Sequence, residues 1–174
     1  MAISLYDVSV SSYRQIMDAL EGVLDKGLEH AADMEGGVEG LLGASFAPDM
    51  FPFAVQIQLC CFHSAGSVQA LLTGGQAIPK GGMPPVDGET LKGSVAMARQ
   101  ALAEFDREAV NACEGREVMF EAGGMQLRFK AEDYVLTFSL PNLNFHATTA
   151  YDLLRSRGVS LGKRDYIGAL RLMG

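Results

Sequence analysis

The sequence has few cysteines, few histidines and no disulfide-like pattern. Its 174 residues include three cysteines and three histidines. Cys60, Cys61 and Cys113 form no CxxC motif, and the adjacent Cys60 and Cys61 are poorly placed to bridge each other. We therefore expect reduced, mostly buried thiols rather than a disulfide framework.

Long apolar runs and an excess of basic residues are also missing. No stretch of about 18 apolar residues is free of charges, so no transmembrane helix is expected. The N-terminal residues MAISLYDVSVSSYRQ lack the basic start and apolar run of a secretory signal, which favours a cytoplasmic protein without a membrane partner. The net charge of −7 argues against nonspecific nucleic-acid binding, because such binding depends on cations that neutralise phosphates. We expect no nucleic-acid partner.

Two common catalytic and phosphate-binding motifs are absent as well. The chain has no GxSxG nucleophile elbow, and its glycine-containing segments lack the GxxxxGK[ST] spacing of a phosphate-binding loop. The 48% hydrophobic and 20% charged content is ordinary for a globular protein of this length. We expect a single domain that covers residues 1–174.

Apolar residues at helical spacing dominate the rest of the chain. Their i, i+3, i+4, i+7 pattern predicts four long helices, over residues 10–31, 50–72, 89–106 and 131–157. Pro141 interrupts the last of these, which is either one kinked helix or a short helix followed by a new one that begins at Pro141.

The segments between the last three helices contain different signals. Residues 74–88 are rich in glycine and proline and predict a loop without helix or strand. EVMFE (117–121) and MQLRF (125–129) alternate around a glycine-containing turn and predict a β-hairpin. The fold class expected from these patterns is all-α: a four-helix bundle with a small β-hairpin between helices 3 and 4.

His146 is the main candidate for chemistry. It lies in NLNFHATTAYDLLRSRG (142–158), where helical spacing places it on the inward face with Asn142 one turn before it. One interpretation is a core imidazole with a hydrogen-bond partner. A metal site is the other, and it requires two or more further ligands. His30 and His63 do not obviously supply them, and Cys60 and His63 form only a weak candidate pair on one side of helix 2.

Several longer motifs resemble a known family. They are ISLYDVSV at the N-terminus, APDMFPF…Q (47–58), DYVLTFSLPNLNFHATTAYDLLRSRGV (133–159) and LGKRDYIG (161–168). The combination resembles an uncharacterised bacterial family of domains of unknown function within the DinB/YfiT-like superfamily, and it extends over nearly the whole chain. The resemblance implies a four-helix bundle with up-down-down-up connections, and a homodimer.

The resemblance also implies a position for a metal site. Many superfamily members hold a divalent metal with one histidine on helix 2 and an HxxxH pair on helix 4, and some act as hydrolases or thiol transferases. The register given by Leu154-Arg155 and Gly158 places His146 at the second histidine of that pair and Asn142 at the first. The helix 2 position falls near Gln58. One of three ligands is therefore retained, and the resemblance implies a degenerate metal site.

Two functions stay open at this point. The favoured one is a small-molecule-binding or structural protein in which Gln58, Asn142 and His146 form a polar pocket. The alternative is a hydrolase or thiol transferase that depends on a divalent metal, zinc or nickel, held by His146 with Gln58 or Asn142, or with a ligand from another segment such as His63 or Asp152.

Overall fold

The computed structural model describes residues 3–173, most of which are helical. The α-helices in this range are α1 (Leu5–Val8), α2 (Val10–Ala31), α3 (Gly37–Leu42), α4 (Phe53–His63), α5 (Ala65–Thr73), α6 (Gly88–Glu104), α7 (Arg107–Asn111), α8 (Ala131–Asp133), α9 (Leu140–Ser156) and α10 (Lys163–Ile167). A π-helical segment, Tyr134–Ser139, joins α8 to α9. The strands are β1 (Gly75–Ala77), β2 (Glu117–Ala122) and β3 (Met125–Lys130).

The four longest helices, α2, α4, α6 and α9, contribute much of the core. α2 packs against both α6 and α9, and α4 packs against the same two helices. Their buried faces share one cluster of apolar side chains, which includes Tyr13, Met17 and Leu24 of α2 and Leu143 of α9. The predicted helix over 10–31 is confirmed, and the third predicted helix corresponds to α6. Amphipathic spacing was sufficient for both because each buries a single apolar stripe.

The second predicted helix, residues 50–72, is wrong as a continuous element. It is divided at Ser64, whose φ of −109° and ψ of −92° are not helical. The buried Ser64 hydroxyl donates a hydrogen bond to the carbonyl of Cys61 at 3.2 Å. A serine side chain that bonds to nearby backbone competes with the helical ladder, and the apolar pattern on either side conceals this break.

The prediction that residues 74–88 contain no strand is also wrong. β1 pairs in parallel with β2, which pairs antiparallel with β3, so the expected hairpin belongs to a three-stranded sheet. A Cβ at Gly75 would lie 2.9 Å from the carbonyl oxygen of Met119, so glycine permits this close pairing. Gln76 fixes the strand further, since its Nε2 donates to the Phe62 carbonyl at 2.8 Å and its Oε1 accepts from the Tyr134 hydroxyl at 2.6 Å.

The last helical region is continuous from Ala131 to Ser156, with Pro141 in the first turn of α9. The sequence left open a single helix or two helices separated at Pro141, and a single helical run that does not stop at Pro141 is observed. The π-helical segment directly before Pro141 has wider turns than an α-helix. Such turns accommodate a residue that has no N–H and whose ring crowds the preceding turn.

The chain after α9 packs back onto α2. Lys26 Nζ and Asp165 Oδ1 form an ion pair at 2.7 Å, and Gln15 Nε2 donates to the Ile167 carbonyl at 3.1 Å. Within residues 3–173, no helix combines the length and apolar character that crossing a membrane requires.

Gly27 of α2 packs against Leu154 of α9, and its replacement tests that packing. A Cβ there would lie 2.7 Å from Cδ2 of the buried Leu154. We expect Gly27→Val to lower the free energy of unfolding by about 2 kcal/mol through overpacking, measured by urea denaturation. Gly22→Val is the matched control, because a Cβ at this exposed α2 position meets nothing within 4 Å. An equal loss in both variants would contradict the packing account.

Candidate functional site

His146 lies on the buried stripe of α9. This stripe contains Leu143, His146, Ala147 and Ala150, and the His146 residue is only 7% exposed. The i, i+3, i+4, i+7 spacing that predicted its inward position is therefore the spacing observed. α4, which packs on this face of α9, provides its polar neighbours.

A glutamine on α4 fixes the orientation of the His146 ring. His146 Nδ1 lies 2.7 Å from Gln56 Oε1, and Gln56 Nε2 donates to the Phe51 carbonyl at 2.9 Å. Because the Gln56 amide nitrogen is committed to Phe51, its oxygen faces His146 and accepts from Nδ1–H. In the neutral ring the lone pair is therefore on Nε2, which can accept a hydrogen bond or ligate a metal.

His63, the last residue of α4, lies beside His146. The two rings are stacked, with centroids 5.7 Å apart and planes 13° from parallel. His63 is 3% exposed, and its Nδ1 is buried without a hydrogen-bond partner among the described residues. Such an atom is rare, because buried polar groups are normally paired. We refer to Gln56, His63 and His146 as the histidine cluster.

Burial keeps both histidines neutral. It lowers the pKa of His63 from 6.5 to about 3, with a further contribution from the neighbouring His146, and it lowers the pKa of His146 from 6.5 to about 4. The desolvated imidazolium ion is disfavoured, and a second positive charge at this distance would repel the first. At neutral pH the cluster thus presents unprotonated ring nitrogens and no net charge.

Aromatic side chains surround the histidine cluster. Phe62 and Phe138 meet the His63 ring edge-on at centroid distances of 5.1 and 5.6 Å, and Phe145 meets His146 in the same way at 5.3 Å. Phe145, whose ring contacts His146, is 59% exposed. Phe51, whose backbone carbonyl accepts a hydrogen bond from Gln56, is 58% exposed. The surroundings are thus apolar, and the Phe145 ring also reaches the surface.

The three residues predicted to form a pocket occupy different environments. Gln58 is half-buried and its Nε2 donates to the Pro84 carbonyl at 2.9 Å, while its buried Oε1 has no partner among the described residues. Asn142 is half-buried and its Nδ2 donates to the Phe138 carbonyl at 2.8 Å. The hydrogen bond observed at His146 is made with Gln56 instead.

The other residues considered as ligands also differ in position. His30 Nε2 donates to the Arg157 carbonyl at 3.2 Å, and Asp152 is exposed. Cys60 is buried, and burial raises the pKa of its thiol well above the usual range, so it remains protonated. Of the alternatives in the sequence, only His63 lies against His146.

Gln56 is the residue that sequence reasoning missed as a partner of His146, whereas His63 was named only as an alternative metal ligand. Both interrupt an otherwise apolar helix, and they are seven residues apart, which places them on one helical face. Gln58 is two residues from Gln56 and points to roughly the opposite side of α4. The seven-residue spacing within α4 was the signal that could have identified Gln56. The family alignment instead placed the helix 2 position near Gln58.

The donor set does not fit a divalent metal. An imidazole nitrogen binds a metal along a lone pair in the plane of its ring, so two stacked, nearly parallel rings direct their lone pairs into separate planes. The third polar group, Gln56, is a neutral amide, which is a weak ligand for zinc or nickel. Within residues 3–173, no three His, Cys, Asp or Glu side chains are grouped so that they could hold a metal ion.

The fold and this site place the chain in a DinB-like class of proteins. It is similar to the crystal structure of a DinB family member protein from Shewanella denitrificans, with a TM-score of 0.76 and 26% sequence identity over 98% of this chain and 95% of that one. The chain belongs to the family described as domain of unknown function DUF1993, whose model matches residues 5–167. No curated protein matches it in sequence.

The lowered pKa values predict how stability depends on pH. Between about pH 6.5 and pH 4 the unfolded chain binds more protons at these histidines than the folded chain does, so stability decreases as the pH falls through this range. We expect His146→Asn to flatten the slope of the free energy of unfolding against pH, measured by urea denaturation at several pH values. Asn142→Ala is the control: it should change the free energy of unfolding by the same amount at every pH and leave the slope against pH unchanged. An unchanged slope in His146→Asn would contradict neutral burial.

Proposed function

We propose that this protein binds a small, uncharged molecule that carries an O–H or N–H donor on an apolar or aromatic body, and that the histidine cluster is the binding site. The observation that carries the proposal is the buried Nδ1 of His63, which lacks a partner, next to a His146 ring whose Nε2 lone pair is available. In the His63 tautomer with the lone pair on Nδ1, a ligand donor satisfies a nitrogen that is otherwise buried without a hydrogen bond.

The electrostatics of the cluster favour an uncharged ligand. Both imidazoles are held neutral, so they attract neither an anion nor a cation strongly. The aromatic rings of Phe62, Phe138 and Phe145 favour an apolar body. Small-molecule sites are usually lined by apolar side chains with a few polar groups, as the histidine cluster is.

The wider proposal includes the features implied by the superfamily. We propose an up-down-down-up four-helix bundle in one domain, with α2, α4, α6 and the α8–α9 region as its helices and a degenerate metal site at its centre. Packing of α2 and α4 against both α6 and α9 supports that arrangement. We also propose that the protein is a cytoplasmic homodimer without a nucleic-acid or membrane partner. If no ligand binds, the polar residues have a purely structural role.

Phenol and anisole form a matched pair of probes for the histidine cluster. Both are small aromatic molecules, but only phenol has a hydroxyl that can donate to an imidazole nitrogen. We expect phenol to shift the histidine ring ¹⁵N resonances, and anisole to bind about tenfold more weakly because a buried acceptor is left unpaired. Titration followed by long-range ¹H–¹⁵N spectra gives both the affinity and the nitrogen involved.

Variants separate this site from nonspecific binding. In the double variant His63→Phe/His146→Phe, which keeps two aromatic rings but removes both imidazole acceptors, phenol and anisole should bind equally. Asn142→Ala should retain the preference for phenol, since Asn142 bonds to the Phe138 carbonyl. Equal binding of the two probes to the unmodified chain would refute the proposed ligand class.

The alternative function is a zinc- or nickel-dependent hydrolase or thiol transferase that uses His146. One observation favours it: the tether from His146 Nδ1 to an amide oxygen is the type of outer contact that orients metal-ligating histidines. The stacked rings and the neutral amide count against it, because they do not converge on one ion.

Elemental analysis of protein purified without a histidine tag distinguishes the two functions. We expect substoichiometric zinc and nickel, and a free energy of unfolding that chelator does not change, since the donor set lacks converging ligands. One zinc or nickel ion per chain that is lost in His146→Ala, and retained in Asn142→Ala, would replace the proposed function with the metalloenzyme.

A further inference from the structure

A cavity lies on the other pair of core helices, away from the histidine cluster. Its volume is about 710 Å³, and it forms where α2, α3 and the first turns of α6 meet. We refer to it as the α2–α6 cavity. Its apolar lining residues other than glycine are Leu24 and Leu28 of α2, Val38 of α3, and Val95 and Ala96 of α6. No residue of the histidine cluster contributes to it.

Glycine leaves part of this cavity open. Gly93 of α6 lines it, and a Cβ at this position would meet nothing within 4 Å. Glycine in the interior of a helix costs stability relative to alanine, and here no close backbone contact requires it. The missing side chain therefore keeps space free for an occupant.

The charged groups around the cavity are predominantly acidic. Glu21, Asp25, Asp87 and Glu89 line it, with Lys92 as the one basic lining residue among those described. Lys92 Nζ pairs with Asp25 Oδ1 at 2.7 Å, and Arg99, which lies outside the lining, pairs with Glu21.

Two of the four carboxylates are left without a cationic partner. Hydrogen bonds from Thr90 lower the pKa of Asp87, which therefore stays ionised, and Glu89 forms no ion pair with a described residue. The positive end of α6 offsets only about half a charge. A net negative charge of more than one unit therefore remains at the edge of the apolar cavity.

We propose that the α2–α6 cavity binds a small amphipathic cation: a molecule with a primary or secondary ammonium group on an apolar chain or ring. Burial of the apolar body against the accessible apolar lining residues Leu28, Val38 and Ala96 provides affinity. The carboxylates of Asp87 and Glu89 select for positive charge and repel anions. The net charge of −7 on the chain acts in the same direction. This site is independent of the histidine cluster and of the function proposed for it.

Three probes with one carbon skeleton test the charge selectivity. They are 4-phenylbutylamine, 4-phenylbutanol and 4-phenylbutanoate, titrated at low salt and followed by backbone amide shifts in α2 and α6. We expect the amine to bind about fivefold more tightly than the alcohol, because two partly exposed carboxylates contribute modestly. The carboxylate should bind most weakly. Equal binding of amine and alcohol, preference for the carboxylate, or no binding of the amine each overturns the proposal.

Variants locate the binding site. Gly93→Leu fills the open space and should weaken amine binding more than about tenfold, while the helical propensity of leucine maintains the fold. Gly22→Leu is the matched control, because it adds the same side chain at an exposed position on α2 that does not line the cavity. Amine affinity that is unchanged in Gly93→Leu overturns the proposed location.

A charge variant separates selectivity from shape. Glu89→Gln should reduce the difference between amine and alcohol affinities and leave alcohol binding unchanged, since only the charge is removed. Glu108→Gln, in the exposed first turn of α7 and outside the cavity, is its control. A difference that stays the same in Glu89→Gln overturns the role assigned to that carboxylate.

Discussion

The Gln56 side chain is the constraint on which the centre of this structure depends. It lies in an apolar interface between α4 and α9, where every polar atom needs a partner because water is excluded. One end of the amide binds the Phe51 carbonyl just before α4, and the other end binds the His146 ring on α9. A single side chain thus fixes the entry to α4, the orientation of a histidine and the register between two helices. A slip of one residue between the two helices would break the Gln56–His146 bond and leave both buried groups unpaired.

The same environment determines the chemistry of the histidines. Packing against Phe62 and Phe138 removes water from His63, and packing on α4 removes it from His146. Both rings are consequently neutral bases rather than cations. The cost of burying an unpartnered Nδ1 on His63 is met by the surrounding apolar contacts, which is the usual relation between a strained polar site and the core that supports it.

Sequence patterns predicted the parts of the fold that depend on one-sided burial. α2, α6 and the two strands of the hairpin follow from apolar periodicity, which reports burial directly. The break at Ser64 and strand β1 depend on particular side-chain hydrogen bonds, from Ser64 to Cys61 and from Gln76 to Phe62, which no periodic pattern encodes. At the site, the inward position of His146 was predictable from spacing. Its contacts with Gln56 and His63 were harder to predict from the sequence, because they depend on which helices face each other.

The π-helical segment before α9 affects how this chain can be compared with its relatives. A π turn contains about one more residue than an α turn, so it behaves as a one-residue insertion that stays within the helix. Every residue after Ser139 is rotated by roughly a quarter turn relative to an uninterrupted helix. The assignment of Asn142 and His146 to the positions of a paired histidine motif is unaffected, because its anchors, Leu154-Arg155 and Gly158, also follow the π-helical segment. In a comparison with a straight helix, the alignment gap belongs inside residues 134–139, and the positions that move by one are those before the gap, in α8 and the hairpin, while those on α9 keep their equivalents.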